Sequence, residues 1–403
     1  VQTAGFALIA LFILVYGVVS RRLERTVVTP PMLFVLFGVL LCSHLIGVFP
    51  GDLESPAIHI VAELTLVLIL FTDASRISLP ALLKDHAIPV RLLTIGLPLT
   101  ILLGAIAAAI VFDVLSFWEG AVLGAILAPT DAALGQAVVS SPRVPQPIRR
   151  GLNVESGLND GIALPIVLLV LSLAIVGEHS GSSTYWLKFF LFQVVLGPVA
   201  GVMIGLVGGK LVQWGIRTGS MNHSYQQLSA LGISLLAFAG AELIGGNGFI
   251  AAFCAGLTVG NAAREVCDCL YEFAEAEGQL LTLITFMIFG ALMVPVAVHH
   301  LDMNIVLYSV LSLTVLRMVP AALSLTGLKL GAPTVTFLAW FGPRGIASIL
   351  FGLVVLEGAD LEHEELIFNT MTFTVLLSVV AHGLTAVPAS MWIGRITGEG
   401  SQK

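Results

Sequence analysis

Long apolar runs recur from one end of this chain to the other, each close to the length that crosses a bilayer. A hydrocarbon core about 30 Å thick takes about 20 apolar residues per α-helix. About thirteen spans are expected on that measure, over residues 3–20, 31–49, 57–75, 88–112, 118–140, 148–176, 185–212, 225–244, 247–261, 280–298, 303–327, 334–356 and 367–393. The eighth and ninth are divided only by Gly245-Gly246-Asn247-Gly248. The chain is 57% hydrophobic and 11% charged, whereas soluble domains carry about 25% charged residues. The expectation is an all-α polytopic membrane protein, and a soluble enzyme is excluded.

Basic residues mark the cytoplasmic side of such a chain. With the N-terminus outside, Arg21, Arg22 and Arg25, then Arg76, Lys84 and Arg91, then Arg143, Arg149 and Arg150 all fall on cytoplasmic connections. Of the 18 Lys and Arg, only Lys188 falls on the outer side, and Arg317 and Arg344 fall inside spans. The outer connections are acidic: Asp52 and Glu54, Asp113 and Glu119, Glu178, Asp302, and Asp360 to Glu365. One misplaced span would scramble this alternation. It predicts an outside N-terminus and a cytoplasmic C-terminus in a bacterial-type inner or plasma membrane. The first apolar run precedes Arg21-Arg22, as in a retained span rather than a cleaved signal. The polar connection 262–279 reads as an amphipathic helix at the interface. Cys42 and Cys254 lie in apolar runs, and Cys267 and Cys269 form a lone C-x-C without the partners of a zinc site.

Two spans carry interruptions at matching places. Span five is cut by Pro129-Thr130-Asp131 and span twelve by Gly342-Pro343-Arg344-Gly345. Spans one to six and eight to thirteen then relate as repeats of opposite orientation. Paired broken segments of this kind are the sequence pointer to a transporter binding site. A break exposes backbone groups and half-helix dipole ends that need partners. The carboxylate of Asp131 would offset the positive N-termini, and Arg344 the negative C-termini.

The stretch Glu155-Ser156-Gly157-Leu158-Asn159-Asp160-Gly161 lies in span six. Ionisable groups at bilayer depth default to function. A carboxylate kept partly dry favours its protonated form, and a nearby cation favours the ionised one. Asp160 is therefore read as a group that holds either a proton or a cation. Ser156 lies four residues earlier on the same helix face. With Thr130 and Asp131 it supplies oxygen ligands suited to a hard cation. Asn159 carries no charge but donates and accepts hydrogen bonds, and so ties span six to the broken span five. Glu155 points elsewhere, and its expected role is a structural ion pair with Arg317 or Arg344. Asp73 ends span three and either lines a cytoplasmic funnel or caps the helix beside Arg76. Glu63 and Glu242 have no assigned role. His382 is read either as a pH-sensitive group or, by preference, as a satisfied core histidine, and His179, His299, His300 and His363 as solvated.

These residues together resemble monovalent cation:proton antiporters of the NhaP and Na⁺/H⁺ exchanger branch. The resemblance is carried by Ala128-Pro129-Thr130-Asp131-Ala132, the Glu155-to-Gly161 stretch and Phe341-Gly342-Pro343-Arg344-Gly345, with the Phe286-to-Ala291 run and Asp73. It implies an NhaA-like fold of inverted repeats with two broken, crossing helices. It implies that Asp160 carries the ion, that Thr130, Ser156 and Asp73 help to ligate it, and that Asn159 and Asp131 hold the crossing. The Asn-Asp pair resembles the electroneutral branch. A core unit, about 57–176 and 280–396, would move against a dimer unit, about 1–50 and 185–261. The implied partners are a second copy of the chain and membrane lipids. A cytoplasmic C-terminal regulatory region, where present, lies beyond Lys403.

P-loops, dinucleotide fingerprints and H-E-x-x-H motifs are absent, so neither nucleotide-driven pumping nor an enzyme is expected. No cofactor and no nucleic acid is implied. The competing readings are a cation channel built on the same carboxylates and a membrane sensor that has lost transport.

Overall fold

The computed structural model describes residues 2–23, 26–41, 56–77, 79, 87–178, 183–262, 278–358 and 361–397. Its regular elements among those residues are helices. In chain order they are α1 (Gln2–Leu23), α2 (Pro30–Leu41), α3 (Pro56–Ser75), α4 (Ala87–Val111), α5 (Phe117–Ile126), α6 (Ala132–Val139), α7 (Gln146–Glu178), α8 (Ser183–Arg217), α9 (His223–Leu243), α10 (Gly248–Ala262), α11 (Gly278–His299), α12 (Met303–Ser324), α13 (Ala332–Trp340), α14 (Ile346–Gly358) and α15 (Glu364–Thr397). Helices α4, α7, α8, α11, α12 and α15 contain stretches long and apolar enough to cross a membrane by length and composition. Shorter apolar helices are α2, α5, α10 and α14.

The outer surface is that of a membrane protein. On α8, Met203, Val207, Leu211 and Trp214 recur at helical spacing, and each is more than half exposed. A stripe of that size would promote association in water, whereas in a bilayer it faces acyl chains. Because lipid is as apolar as leucine, close packing of small residues brings the helices together instead. Gly256 and Gly260 of α10 lie on the carbonyls of Phe71 and Ser75 of α3, where any Cβ would overlap them. Gly201 and Gly205 of α8 meet Ala251 and Ala255 of α10 in the same way, and Gly38 of α2 meets Met287 of α11.

Several local features depart from or complete the sequence reading. The run 303–327 is not one even helix: it is interrupted at Thr314, where φ is −109° and ψ is −91°. The Thr314 hydroxyl donates to Val310 O at 2.6 Å, and its N–H is shared between Val310 O and Leu311 O. Such back-bonding by threonine competes with the regular helix ladder. The turn at Gly245, with φ +79°, separates α9 from α10. Glu242, unassigned from sequence, accepts there from Gly248 N at 2.7 Å and so caps the start of α10. The connection 262–279 falls almost wholly outside the described residues. Arg25, Lys84, Asp52, Glu54, His179, Cys42, Cys267 and Cys269 also lie outside them.

Candidate ion-binding site

Two helices stop and restart at the centre of the molecule. The chain leaves α5 at Ile126 and resumes helix at Ala132; it leaves α13 at Trp340 and resumes at Ile346. The two non-helical stretches meet, with Asp131 N donating to Pro343 O at 2.8 Å. This crossing gathers four half-helix ends, each with unsatisfied backbone groups.

The side chains at the breaks answer those groups by charge. Asp131 Oδ1 accepts from Ala133 N at 2.7 Å and Leu134 N at 3.4 Å, at the start of α6. Its Oδ2 accepts from Ile346 N at 2.8 Å, at the start of α14. One carboxylate therefore meets two positive helix ends. Arg344 Nη1 donates to Ala128 O at 2.8 Å and Pro129 O at 3.2 Å, just past the end of α5. Ser348 Oγ adds a bond to Ile126 O at 2.8 Å. The glycines of the second break make room: a Cβ on Gly345 would overlap the Asp131 carboxylate, and one on Gly342 the Arg317 guanidinium.

Helix α7 brings the second set of groups against the first break. Asn159 Nδ2 donates to Thr130 Oγ1 at 2.6 Å and to Thr130 O at 3.3 Å. Thr130 Oγ1 also lies 3.1 Å from Ser156 Oγ. On another face of α7, Glu155 Oε1 pairs with Arg317 Nη2 at 2.6 Å, both side chains being 3% exposed. Of the two arginines that sequence allowed, Arg317 holds the direct pair. Arg344 is fully buried and serves the crossing.

Asp160 is buried, and its Oδ1 has no hydrogen-bond partner. The neighbouring Asn159 Oδ1 is likewise unpartnered. Buried polar atoms normally find partners, so orphaned acceptors in a crowded polar site call for an explanation. Asp73 and Asp131 both lie within electrostatic reach of Asp160. Asp73 is half-buried near the end of α3, and its carbonyl runs beside Gly157 of α7. Pro165, one turn beyond Asp160, has no N–H to give Gly161 O, which loses its usual helix partner. The site thus joins α3, α5, α6, α7 and α14 around acceptor oxygens, with Thr130, Asp131, Ser156, Asn159 and Asp160 drawn together.

Sequence reasoning missed several contributors. Ser378 Oγ accepts from Arg344 N at 2.7 Å. Tyr308 Oη donates to Gly104 O at 3.2 Å. Glu119 is buried rather than loosely exposed, forming a capping box with Ser116 at the start of α5. The Ser-x-x-Glu spacing before an apolar run was the signal for it. His363, expected to be solvated, instead meets this carboxylate: its N and Nδ1 each lie 3.1 Å from Glu119 Oε1. An unpaired carboxylate there would be costly to bury.

The family described as "Sodium/hydrogen exchanger, transmembrane" matches residues 7–392. The K(+)/H(+) antiporter NhaP of Alkalimonas amylolytica is 27% identical over 368 residues, covering 88% of this chain and 62% of that protein. The K(+)/H(+) antiporter NhaP2 of Shewanella sp. (strain MR-4) is 25% identical over 387 residues, covering 95% of this chain and 65% of the relative. The chain therefore spans less than two thirds of the length of these relatives. Among solved structures, the sodium proton antiporter MjNhaP1 from Methanocaldococcus jannaschii at pH 8 superposes with a TM-score of 0.80 at 21% identity. That match covers 97% of this chain and 99% of the other, and establishes the shared fold.

Proposed function

The chain belongs to the sodium/hydrogen exchanger family, and from that premise we propose that it exchanges a monovalent cation for H⁺, with both competing for Asp160. The observation that carries this reading is the buried Asp160 carboxylate with an oxygen that has no protein partner. A buried ionised carboxylate left alone is strongly disfavoured. A proton or a cation relieves that penalty, and each displaces the other. Ser156 Oγ and the Thr130 oxygens, joined to each other and to its neighbour Asn159, serve in this reading as neutral ligands for a hard cation. K⁺ and Na⁺ are both candidates, since the relatives' names include potassium and sodium antiporters; Li⁺ is a third.

The coupling is electroneutral in this reading. Asn159 adds no second ionisable group beside Asp160, and with Asp73 keeping one protonation state through the cycle, one cation replaces one proton. Asp131 is committed to two helix starts, and Glu155 to Arg317. Alternating access exposes the site to one side at a time. A core unit, about 57–176 and 280–396, moves against a unit of about 1–50 and 185–261 through which two copies pair. The chain crosses the membrane thirteen times as two inverted repeats, with its N-terminus outside. Ion occupancy would be felt first at the unpartnered oxygens of Asn159 and Asp160.

Proteoliposomes with an imposed pH gradient test this. Addition of Na⁺, K⁺ or Li⁺ should discharge the gradient for at least one ion, and the Asp160→Asn variant should not respond. Competition also sets a sign: the half-saturating cation concentration rises as pH is lowered on the cation side. Cation flux without any pH response would replace the antiporter with a channel. With the potential clamped at different values, strong voltage dependence of exchange would overturn electroneutrality.

A further inference from the structure

We propose that His382 is a positioning residue for ion exchange: it caps the end of α13 and, through Ser378, fixes the backbone of Arg344 on which the first break rests. The inference builds on exchange at Asp160.

The second break begins with a tight turn at Trp340, whose carbonyl accepts from Gly342 N at 2.8 Å. Phe341 between them has φ −79° and ψ 66°, the inverse γ-turn conformation. A carbonyl has two lone pairs. The second is taken by His382, whose Nε2 lies 3.0 Å from Trp340 O. A carbonyl only accepts, so Nε2 carries the hydrogen.

The other ring nitrogen is then placed by hydrogen-bond accounting. Ser378, one turn earlier on α15, accepts from Arg344 N through its Oγ. Ser378 Oγ and Ser378 O both lie 3.1 Å from Nδ1. With Nε2 carrying the hydrogen of a neutral ring, Nδ1 has only a lone pair, so it accepts the hydroxyl proton and makes no bond to the carbonyl. A relay results: Arg344 N–H to Ser378 O–H to Nδ1, and Nε2–H to Trp340 O. One turn of α15 thus binds both rims of the second break. The Trp340 ring stacks on the imidazole at 5.0 Å between centroids and 28° between planes. Its indole N–H donates to Thr385 Oγ1 at 3.0 Å. His382 is 1% exposed, so no solvent replaces a lost contact.

The link from this relay to the ion site is short. Arg344 and its neighbour Pro343 carry the bonds to Ala128 O, Pro129 O and Asp131 N. Thr130 lies between those anchored residues, and its oxygens accept from Asn159, the neighbour of Asp160 on α7. If the Arg344 backbone is released, Thr130 shifts with it. A histidine that merely filled space would stabilise the bundle without touching cation affinity.

The test uses the full chain in proteoliposomes, with the cation that wild type exchanges, and reads half-saturating concentration and maximal rate separately. His382→Leu should raise the half-saturating concentration about tenfold, on the order of one buried hydrogen bond left open. His382→Gln, which puts an amide N–H near the Nε2 position, should return most of that affinity. Ser378→Ala should shift it in the same direction by a smaller factor, and it stands in if the Leu variant does not fold. The proposal is overturned if Ser378→Ala and the His382 variants change only the folded yield or the maximal rate, with half-saturation unmoved. Failure of wild type itself to exchange would instead remove the reading of Asp160, a distinguishable result.

Discussion

The two breaks in the helices look alike in the chain but are held in opposite ways. The first, between α5 and α6, is bound by charges from a distance: Arg344 on its carbonyls, and its own Asp131 reaching across to α14. The second, between α13 and α14, is bound on α15 by uncharged groups, Ser378 and Thr385, together with His382. Around the first, acceptor oxygens on Asp160 and Asn159 remain unpartnered. Around the second, the turn carbonyl of Trp340 has both lone pairs filled. In the proposed reading, ion exchange needs unsatisfied oxygens, and a frame that keeps them in place needs satisfied ones. On the second break's side the open buried atoms are donors instead, Arg344 Nε and Nη2, so the open acceptors of Asp160 and Asn159 belong to the first break's side.

Breaking that division should give graded effects. The largest is expected at Asp160→Asn, which should abolish exchange while leaving a normal elution profile in detergent. Exchange at the wild-type rate would show that the open side is not where the ion binds. Next comes Arg317→Ala, which strands Glu155 in the interior. Removing one partner of a buried pair costs about 3–5 kcal/mol, so thermal unfolding in detergent should drop sharply and yield should fall. A variant of wild-type stability would mean the pair does not brace the crossing. Asn159→Ala should cost about 1–3 kcal/mol by leaving Thr130 unanswered, and should also raise the half-saturating cation concentration. The smallest effect belongs to the frame's periphery: Thr385→Val should cost about 0.5–1.5 kcal/mol in stability with exchange nearly unchanged. If Thr385→Val disturbed cation affinity more than Asn159→Ala, the two breaks would not differ as described.

Much of this arrangement was legible in the chain because the physics behind it is local. Pro129 and Pro343 cannot donate in a helix, and glycines flank the second break, so both interruptions appear in the sequence. A carboxylate and a guanidinium in apolar surroundings announce partners without saying which. Glu155 could have met Arg317 or Arg344. The choice depends on how α12 and the second break are rotated about α7, which no spacing reports. His382 is a sharper case. Ser378 and His382 at one-turn spacing on an apolar helix suggest a mutual hydrogen bond. Their link to Arg344 N and Trp340 O requires α15 to lie directly behind the second break.

By itself, the sequence determined a bundle of membrane helices with two interruptions and an acid beside the first. Apolar runs, prolines and buried charges act through the bilayer and the backbone, and need no knowledge of neighbours. The tertiary structure alone decided which side chain answers which helix end: Asp131 for two N-termini, Arg344 for the end of α5 and His382 for the end of α13. Hydrogen bonds act over about 3 Å, and a helix turns its side chains by a large angle at every residue. Such partners are therefore set by the packing of whole helices, which a linear pattern does not contain.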